Sequence, residues 1–325
     1  MFYTACQQLC KNNRFCLTRL QVSDTFLKNG ICYRQVFHVE RGLMARAIAV
    51  CNQKGGVGKT TTAVNLSAYL ALLGKRTLLI DLDSQGNATI SSGCARRRLS
   101  RTVYDALVDG AALEELIIPS SVSGMDVVPS SLDLAGADLR IADLPDRETI
   151  LRRRCEPIAS RYDAIVMDCP PSLGLVSVNA LVAADDVLIP VQCEYFALEG
   201  LNALMQAIDL VKRGPNPRLE ICGIVLTMAD FRAKLAKEVA EEVRGFYGGL
   251  VCESSIPRSV RLAESPSFGK PISAYDPHSP GAAAYQALAN EVAARIFPST
   301  NEQQNGSLSR ESAQPGQTVL VEPQG

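Results

Sequence analysis

Asn52-Gln53-Lys54-Gly55-Gly56-Val57-Gly58-Lys59-Thr60-Thr61-Thr62 decides how this chain is read. The residues before it, Arg46 to Cys51, form a short, apolar, β-prone run, so they read as a buried strand. Those after it, from Thr60 to about Leu73, have the length and composition of a helix. A glycine-rich turn between strand and helix is where a phosphate-binding loop sits. Its glycines let the backbone curl so that successive N–H groups point inward, and the helix N-terminus adds the positive end of its dipole. Residues Lys54, Gly55, Gly56, Val57, Gly58, Lys59, Thr60 and Thr61 form the expected cradle. In it the Lys59 ammonium reaches the β- and γ-phosphates of a nucleotide, and the Thr60 hydroxyl ligates a magnesium ion.

The spacing departs from the usual G-x-x-x-x-G-K-[ST] pattern. Gln53 stands where the first glycine belongs, and a second lysine, Lys54, follows it. This K-G-G-x-G-K-T form resembles the deviant phosphate loop of the ParA/MinD group of ATPases. The resemblance implies a P-loop fold, ATP with Mg2+ as the bound species, and a nucleotide-sandwich dimer across which Lys54 reaches the partner's phosphates.

The 325 residues allow one large or two medium domains, and 47% hydrophobic residues supply a sizeable core. Lys plus Arg (33) nearly balances Asp plus Glu (34), so any nucleic-acid surface must be a local patch. No uninterrupted apolar run reaches membrane-spanning length, and a soluble, cytoplasmic chain is expected. The 11 cysteines are scattered. Cys51, Cys169, Cys193 and Cys222 lie in or beside strand-like runs, where a thiol packs as a small hydrophobe, and the pattern does not suit a disulfide framework. Cys6, Cys10, Cys16 and Cys32 are too irregularly spaced for a familiar zinc module.

Short apolar runs at 46–51, 76–82, 126–129, 163–168, 186–191 and 220–227 alternate with segments of helical length. That order predicts an α/β fold: a mostly parallel, twisted sheet with helices on both faces, the P-loop NTPase arrangement. Phosphate sites in such sheets lie outside the carboxyl ends of the strands. Residues 1–43 lack periodicity. Met44 and the run after it look like the normal opening of a ParA-like chain, so Met44 is expected to be a true start. Residues 1–43 are then either no part of the native chain or a poorly ordered extension, a basic targeting leader being the weaker alternative because serine is scarce. The ATPase domain is placed at 44–298, with Pro298 closing the last helix, and the polar residues 299–325 read as a disordered tail.

Leu78-Leu79-Ile80-Asp81-Leu82-Asp83-Ser84-Gln85-Gly86-Asn87 is an apolar strand ending in two carboxylates. Period two puts Asp81 and Asp83 on one side, beside the phosphate loop; in the bland reading they only make turn hydrogen bonds. The run is similar to the family's D-L-D-P-Q-G-N switch, with Ser84 where proline is usual. That implies Asp83 as the residue orienting the attacking water and Asp81 as support for the metal site. Tyr162-Asp163-Ala164-Ile165-Val166-Met167-Asp168-Cys169-Pro170-Pro171-Ser172 delivers one aspartate on an apolar strand. A carboxylate there can hold magnesium, and the two prolines stiffen the following loop. It resembles the family's D-C-P-P switch. Pro190-Val191-Gln192-Cys193-Glu194-Tyr195-Phe196-Ala197-Leu198-Glu199-Gly200 also resembles the ParA pattern.

Leu226-Thr227-Met228-Ala229-Asp230-Phe231-Arg232 reads as a strand end entering a helix, and Ile256-Pro257-Arg258-Ser259-Val260-Arg261-Leu262-Ala263-Glu264 resembles the family's I-P-R-N-V-R-L-S-E. The resemblance implies that Met228, Pro257 and Ser259 lie against the adenine, with serine replacing the family's asparagine. It also implies that Arg232 and Arg261 face DNA; taken alone, each arginine reads as a solvated surface charge. The four ordered motifs cover about residues 44 to 297. They imply a nucleoid-associated partitioning ATPase whose ATP-bound homodimer binds double-stranded DNA without sequence preference and whose hydrolysis is stimulated by a ParB-like centromere-binding protein. The alternative is a MinD-like membrane ATPase. It requires a basic amphipathic C-terminal anchor, and residues 299–325 carry one Arg, no Lys and three Glu. A reductase resembling the nitrogenase iron protein is disfavoured because Cys94 and Cys155 are not in matching contexts.

Overall fold

Apolar runs bounded by helices must be covered on both faces, and the structure, a computed structural model, places them in one sheet. It describes residues 45–94, 99–194 and 197–297. The described chain runs β1 (Arg46–Val50), α1 (Lys59–Leu72), β2 (Thr77–Asp81), α2 (Asn87–Ser91), β3 (Ile118–Pro119), β4 (Met125–Val128), α3 (Ala137–Ile141), α4 (Ile150–Cys155) and β5 (Ala164–Asp168). It continues through α5 (Leu175–Ala183), β6 (Asp186–Gln192), α6 (Ala197–Arg213), β7 (Glu220–Ala229), α7 (Lys234–Tyr247), β8 (Val251–Pro257), α8 (Val260–Glu264), α9 (Ile272–Tyr275) and α10 (Pro280–Ile296). The strand order is β3-β4-β2-β5-β1-β6-β7-β8. Every pairing is parallel except the short antiparallel contact of β3 with β4.

Alternation along β1 splits the core into two layers. Ile48 and Val50 pack with Val64, Leu66 and Leu70 of α1 and Tyr285, Leu288 and Val292 of α10. Ala47, Ala49 and Cys51 face the opposite layer, which holds Leu181 of α5, Leu204 and Ile208 of α6 and Val243 of α7. Burying one leucine-sized side chain contributes about 1.5–3 kcal/mol, so these layers hold the central strands rigidly.

The register then sets the functional edge. Val50 of β1 and Asp81 of β2 both lie opposite Asp168 of β5, so three strands end flush at their carboxyl ends. Brought together there are the loop after β1, the acidic turn after β2 and the Pro170-Pro171 loop after β5. Cys51 and Cys169, one residue beyond those strand ends, meet with Sγ atoms 2.8 Å apart. All seven described cysteines are buried free thiols.

Two strands depart from the sequence expectation. β8 carries Glu253, Ser254 and Ser255 in its interior, which breaks any apolar pattern. It forms because it is an edge strand, where one side of the ladder can be met by side chains. Glu291 of α10 accepts the N–H groups of Glu253 (2.9 Å) and Ser254 (3.0 Å) and pairs with Arg295 at 2.8 Å. β3 is two residues long and contains Pro119, too short for a periodicity to register. The expectations for residues 1–43, for Pro298 and for 299–325 lie outside the described residues.

Candidate nucleotide and metal site

Residues 51–58 cross from β1 to α1 over the flush strand ends. Gly56 (φ 75°) and Gly58 (φ 87°) adopt the left-handed backbone that residues with a Cβ resist, and Gly58 is the N-cap of α1. Side chains fasten the loop at both ends. Asn52 Nδ2 donates to the Pro190 carbonyl at 2.7 Å while its Oδ1 accepts the Lys54 N–H at 3.0 Å. Thr227 Oγ1 donates to the Val57 carbonyl at 2.8 Å, tying the loop to the end of β7.

The two lysines occupy different surroundings. Lys59 is only 7% exposed and its Nζ donates to the Lys54 carbonyl at 2.9 Å. Burial lowers its pKa, opposed chiefly by the negative charge of Asp168. Lys54 is partly exposed, and its Nζ lies 2.7 Å from Glu194 Oε2, across the loop after β6.

The three aspartates divide in the same way. Asp81 is fully buried and satisfied: Oδ2 accepts the Thr89 N–H and hydroxyl, each at 2.7 Å, and Oδ1 accepts the Asp83 N–H at 3.2 Å. Burial holds its pKa above the usual carboxylate range, at about 6, against those hydrogen bonds. Asp83, just past the strand, is half-buried and accepts the Gln85 N–H at 2.9 Å. Asp168 is fully buried, and among the described residues neither of its oxygens has a hydrogen-bond partner of ordinary geometry. Burial, and next the negative charge of Asp81, push its pKa well up; the Thr60 hydroxyl and the Lys59 ammonium pull it down. Leaving a buried polar group unpaired costs about 1–3 kcal/mol, and more for a charge. Such an orphaned carboxylate, beside a threonine hydroxyl at the start of α1, has the donor chemistry of a site for a hard divalent cation. Asp168 and Thr60 therefore fit magnesium, while the oxygens of Asp81 are already engaged.

Behind Gly58 a cavity of about 320 Å³ is lined by Thr61, Met228, Ile256, Pro257, Ser259 and Leu262, among others. It is predominantly apolar and continuous with the phosphate loop, as a base-binding slot must be. The structure thus brings Met228, Pro257 and Ser259 together. Ser259 also caps α8, its Oγ accepting the Leu262 N–H at 3.4 Å. Two features of this slot were silent in the sequence. Met228 has φ 48°, a left-handed backbone that an unbranched non-glycine residue adopts only at a cost, often found where a ligand is held. Tyr285, distant in sequence, is fully buried in the slot wall with its hydroxyl 3.2 Å from Thr62 Oγ1.

Arg232 and Arg261 are on the surface and partnered. Arg232, 91% exposed, forks onto Asp230 with two bonds of 2.8 Å. Arg261 lies 3.2 Å from Glu264 and 3.4 Å from Asp276.

With the geometry in place, comparison with known proteins places the chain. The AAA domain family matches residues 45–221. Over 261 residues the chain is 51% identical to the chromosome partitioning protein ParA of Myxococcus xanthus, a match covering 80% of this chain and 92% of that protein. The chain belongs to the ParA/Soj family of partitioning ATPases. It is also 51% identical over 251 residues to the sporulation initiation inhibitor protein Soj of Bacillus subtilis, across 77% of this chain and 99% of Soj. Among solved structures, cobyrinic acid a,c-diamide synthase from Mycobacterium smegmatis, with bound ADP and magnesium, matches with TM-score 0.67 and 34% identity over 76% of this chain and 93% of that one. The cell division ATPase MinD of Pyrococcus furiosus matches with TM-score 0.64 and 28% identity, over 77% of this chain and 98% of its own. The ParA/Soj assignment and the mostly parallel P-loop fold expected from the motifs are borne out.

Proposed function

We propose that this ParA/Soj-family ATPase binds Mg2+ and ATP in the slot between the phosphate loop and Pro257, closes as a homodimer, and in that state holds DNA. The observation that carries the reading is the buried, unpaired Asp168 carboxylate, close enough to Lys59 for each charge to act on the other. A buried anion and a buried cation maintained without full pairing make sense where a charged substrate completes them.

Each residue has a part. Backbone N–H groups from Gly55 to Thr61 receive the phosphates, and Lys59 exchanges the Lys54 carbonyl for phosphate oxygens. Thr60 and Asp168 hold the magnesium ion, with Asp81 fixing the acidic turn through Thr89 and Asp83. A bound magnesium ion neutralises charge that builds on the phosphates. Asp83 orients water toward the γ-phosphate, which with charge stabilisation is most of what phosphoryl transfer asks of a protein. Met228, Pro257 and Ser259 contact the adenine. Lys54, on the open side of the loop, reaches the nucleotide of a second subunit. Arg232 and Arg261 meet phosphates of double-stranded DNA without reading its sequence, and a ParB-like centromere-binding protein accelerates hydrolysis and release. The chain then works in the cytoplasm on the nucleoid.

The partition reading is preferred over a MinD-like membrane cycle because identity to ParA and Soj is 51%, against 28% to the MinD structure. Anisotropy on random duplex DNA with ATP, with ADP and without nucleotide tests it. Binding that needs ATP and weakens with salt supports the reading, and equal binding in all three states contradicts it.

A further inference from the structure

Lys54 is held at every polar group it has. Its N–H is on Asn52 Oδ1, its carbonyl on Lys59 Nζ, and its ammonium on Glu194 Oε2 at 2.7 Å. Glu194 is itself oriented, because Gln192 Nε2 donates to its other oxygen, Oε1. Gln192 closes β6, and the same strand supplies the Pro190 carbonyl that holds Asn52. The loop bearing Lys54 and the turn just after β6 that bears its carboxylate partner are therefore one braced unit. The ammonium has a geometry in which it satisfies its own subunit.

We propose that Glu194 is a positioning residue that holds Lys54 in its own subunit and so opposes assembly of the ATP dimer. The inference rests on the trans role proposed for Lys54. An ammonium paired at 2.7 Å with its own carboxylate must give up that partner to reach a phosphate in a second subunit. ATP-driven dimerisation breaks two such pairs, one per subunit. The pair is partly exposed, 34% for Lys54 and 50% for Glu194, so each is a modest barrier rather than a lock. A modest barrier suits a switch: it suppresses chance closure and yields to a charged nucleotide. The Gln192 bond limits the geometries in which Glu194 could follow Lys54 outward.

The test uses the full chain carrying Asp83→Ala to slow turnover, with Mg2+ and ATP, and reads the protein concentration at half-dimerisation by sedimentation. Adding Glu194→Gln, which keeps shape and removes charge, is expected to lower that midpoint by about 3- to 10-fold, from two exposed pairs per dimer. Gln192→Ala, which frees Glu194 without removing it, should move it in the same direction by less. In the chain with Asp83 intact, Glu194→Gln should lower the protein concentration for half-maximal turnover and leave maximal turnover unchanged. A merely structural role for Glu194 would lower the maximum instead. An unchanged or raised midpoint in Glu194→Gln overturns the proposal, because Glu194 then either does nothing or assists Lys54 in crossing. Lys54→Ala separates the two levels of the argument. If it dimerises like the parent, the trans role itself fails; if it stays monomeric while Glu194→Gln shows no gain, only the holding role fails.

Discussion

The phosphate edge and the arginine edge of this molecule treat charge in opposite ways. At the phosphate edge, Lys59, Asp81 and Asp168 are buried, and among the described residues only the Thr60 hydroxyl acts on the Asp168 carboxylate as a hydrogen-bond donor, short of ordinary geometry. At the arginine edge, Arg232 and Arg261 are exposed and each is matched to carboxylates beside it. In the first region desolvation makes every charge costly and every missing partner consequential. In the second, water and salt screen the charges, so single contacts are weak and only their number matters. Substitutions should therefore act strongly and singly at the first edge, weakly and cumulatively at the second.

The largest effect is expected at Lys59. Lys59→Ala removes the buried cation proposed to meet the phosphates and should weaken ATP binding by about 30-fold to several thousand-fold, as truncating a buried charge partner costs about 2–5 kcal/mol. Calorimetric titration with Mg2+ and ATP reads it, and near-normal affinity would break the division at its strong end. Asp83→Ala should keep ATP affinity while slowing turnover by about 10²–10⁴-fold, the range for a positioned proton-accepting group. A phosphate-release assay beside the titration separates the two quantities.

At Asp168 the same burial should be readable in stability. Its folded pKa is raised by burial above the unfolded value, so the folded chain holds the proton more tightly than the unfolded one. The sign follows: this group's contribution is most favourable at low pH, and stability falls as pH rises above about 4 through the raised pKa. Asp168→Asn removes the ionisation and should raise Tm at neutral pH by about 3–10 °C without nucleotide, from about 1–3 kcal/mol of relief. The same variant should lose the extra stability that Mg2+ and ATP give the parent. Thermal melts with and without both, at pH 5 and pH 8, check it; an unaltered Tm without nucleotide means the carboxylate is not strained.

The smallest effects belong to the arginine edge. Arg232→Ala and Arg261→Ala should each weaken DNA binding and flatten the log–log salt slope by up to about two units per dimer. Asp230→Ala should do the reverse for affinity, because it frees the Arg232 guanidinium it now engages through two bonds. A salt series of anisotropy titrations reads all three, and Asp230→Ala binding more weakly than the parent would show that the pair acts as a unit.

The same contrast explains what could be read in advance. The loop from Asn52 to Thr62, Asp81, Asp83 and Asp168 were legible because chemistry there demands particular residues at particular strand ends. Apolar runs gave the central strands because burial on both faces leaves polar residues chiefly at the strand ends, as at Thr77, Asp81, Asp168 and Asp186. β8 was hidden because an edge strand tolerates Glu253 and two serines once Glu291 caps its N–H groups. Tyr285 and the left-handed Met228 depend on packing between distant segments, which local pattern does not encode. The Glu194–Lys54 contact spans 140 positions and has no periodic signature. For Arg232 and Arg261 the sequence showed the cations, and the structure added the neighbouring carboxylates that temper them.

ATP dimerisation turns on the role proposed for Lys54 across subunits. Light scattering on size-exclusion peaks of Asp83→Ala and of Lys54→Ala combined with Asp83→Ala, each with Mg2+ and ATP, tests it most directly. A dimer is expected for the first protein and a nucleotide-loaded monomer for the second; a dimer in both would refute the role of Lys54 across subunits.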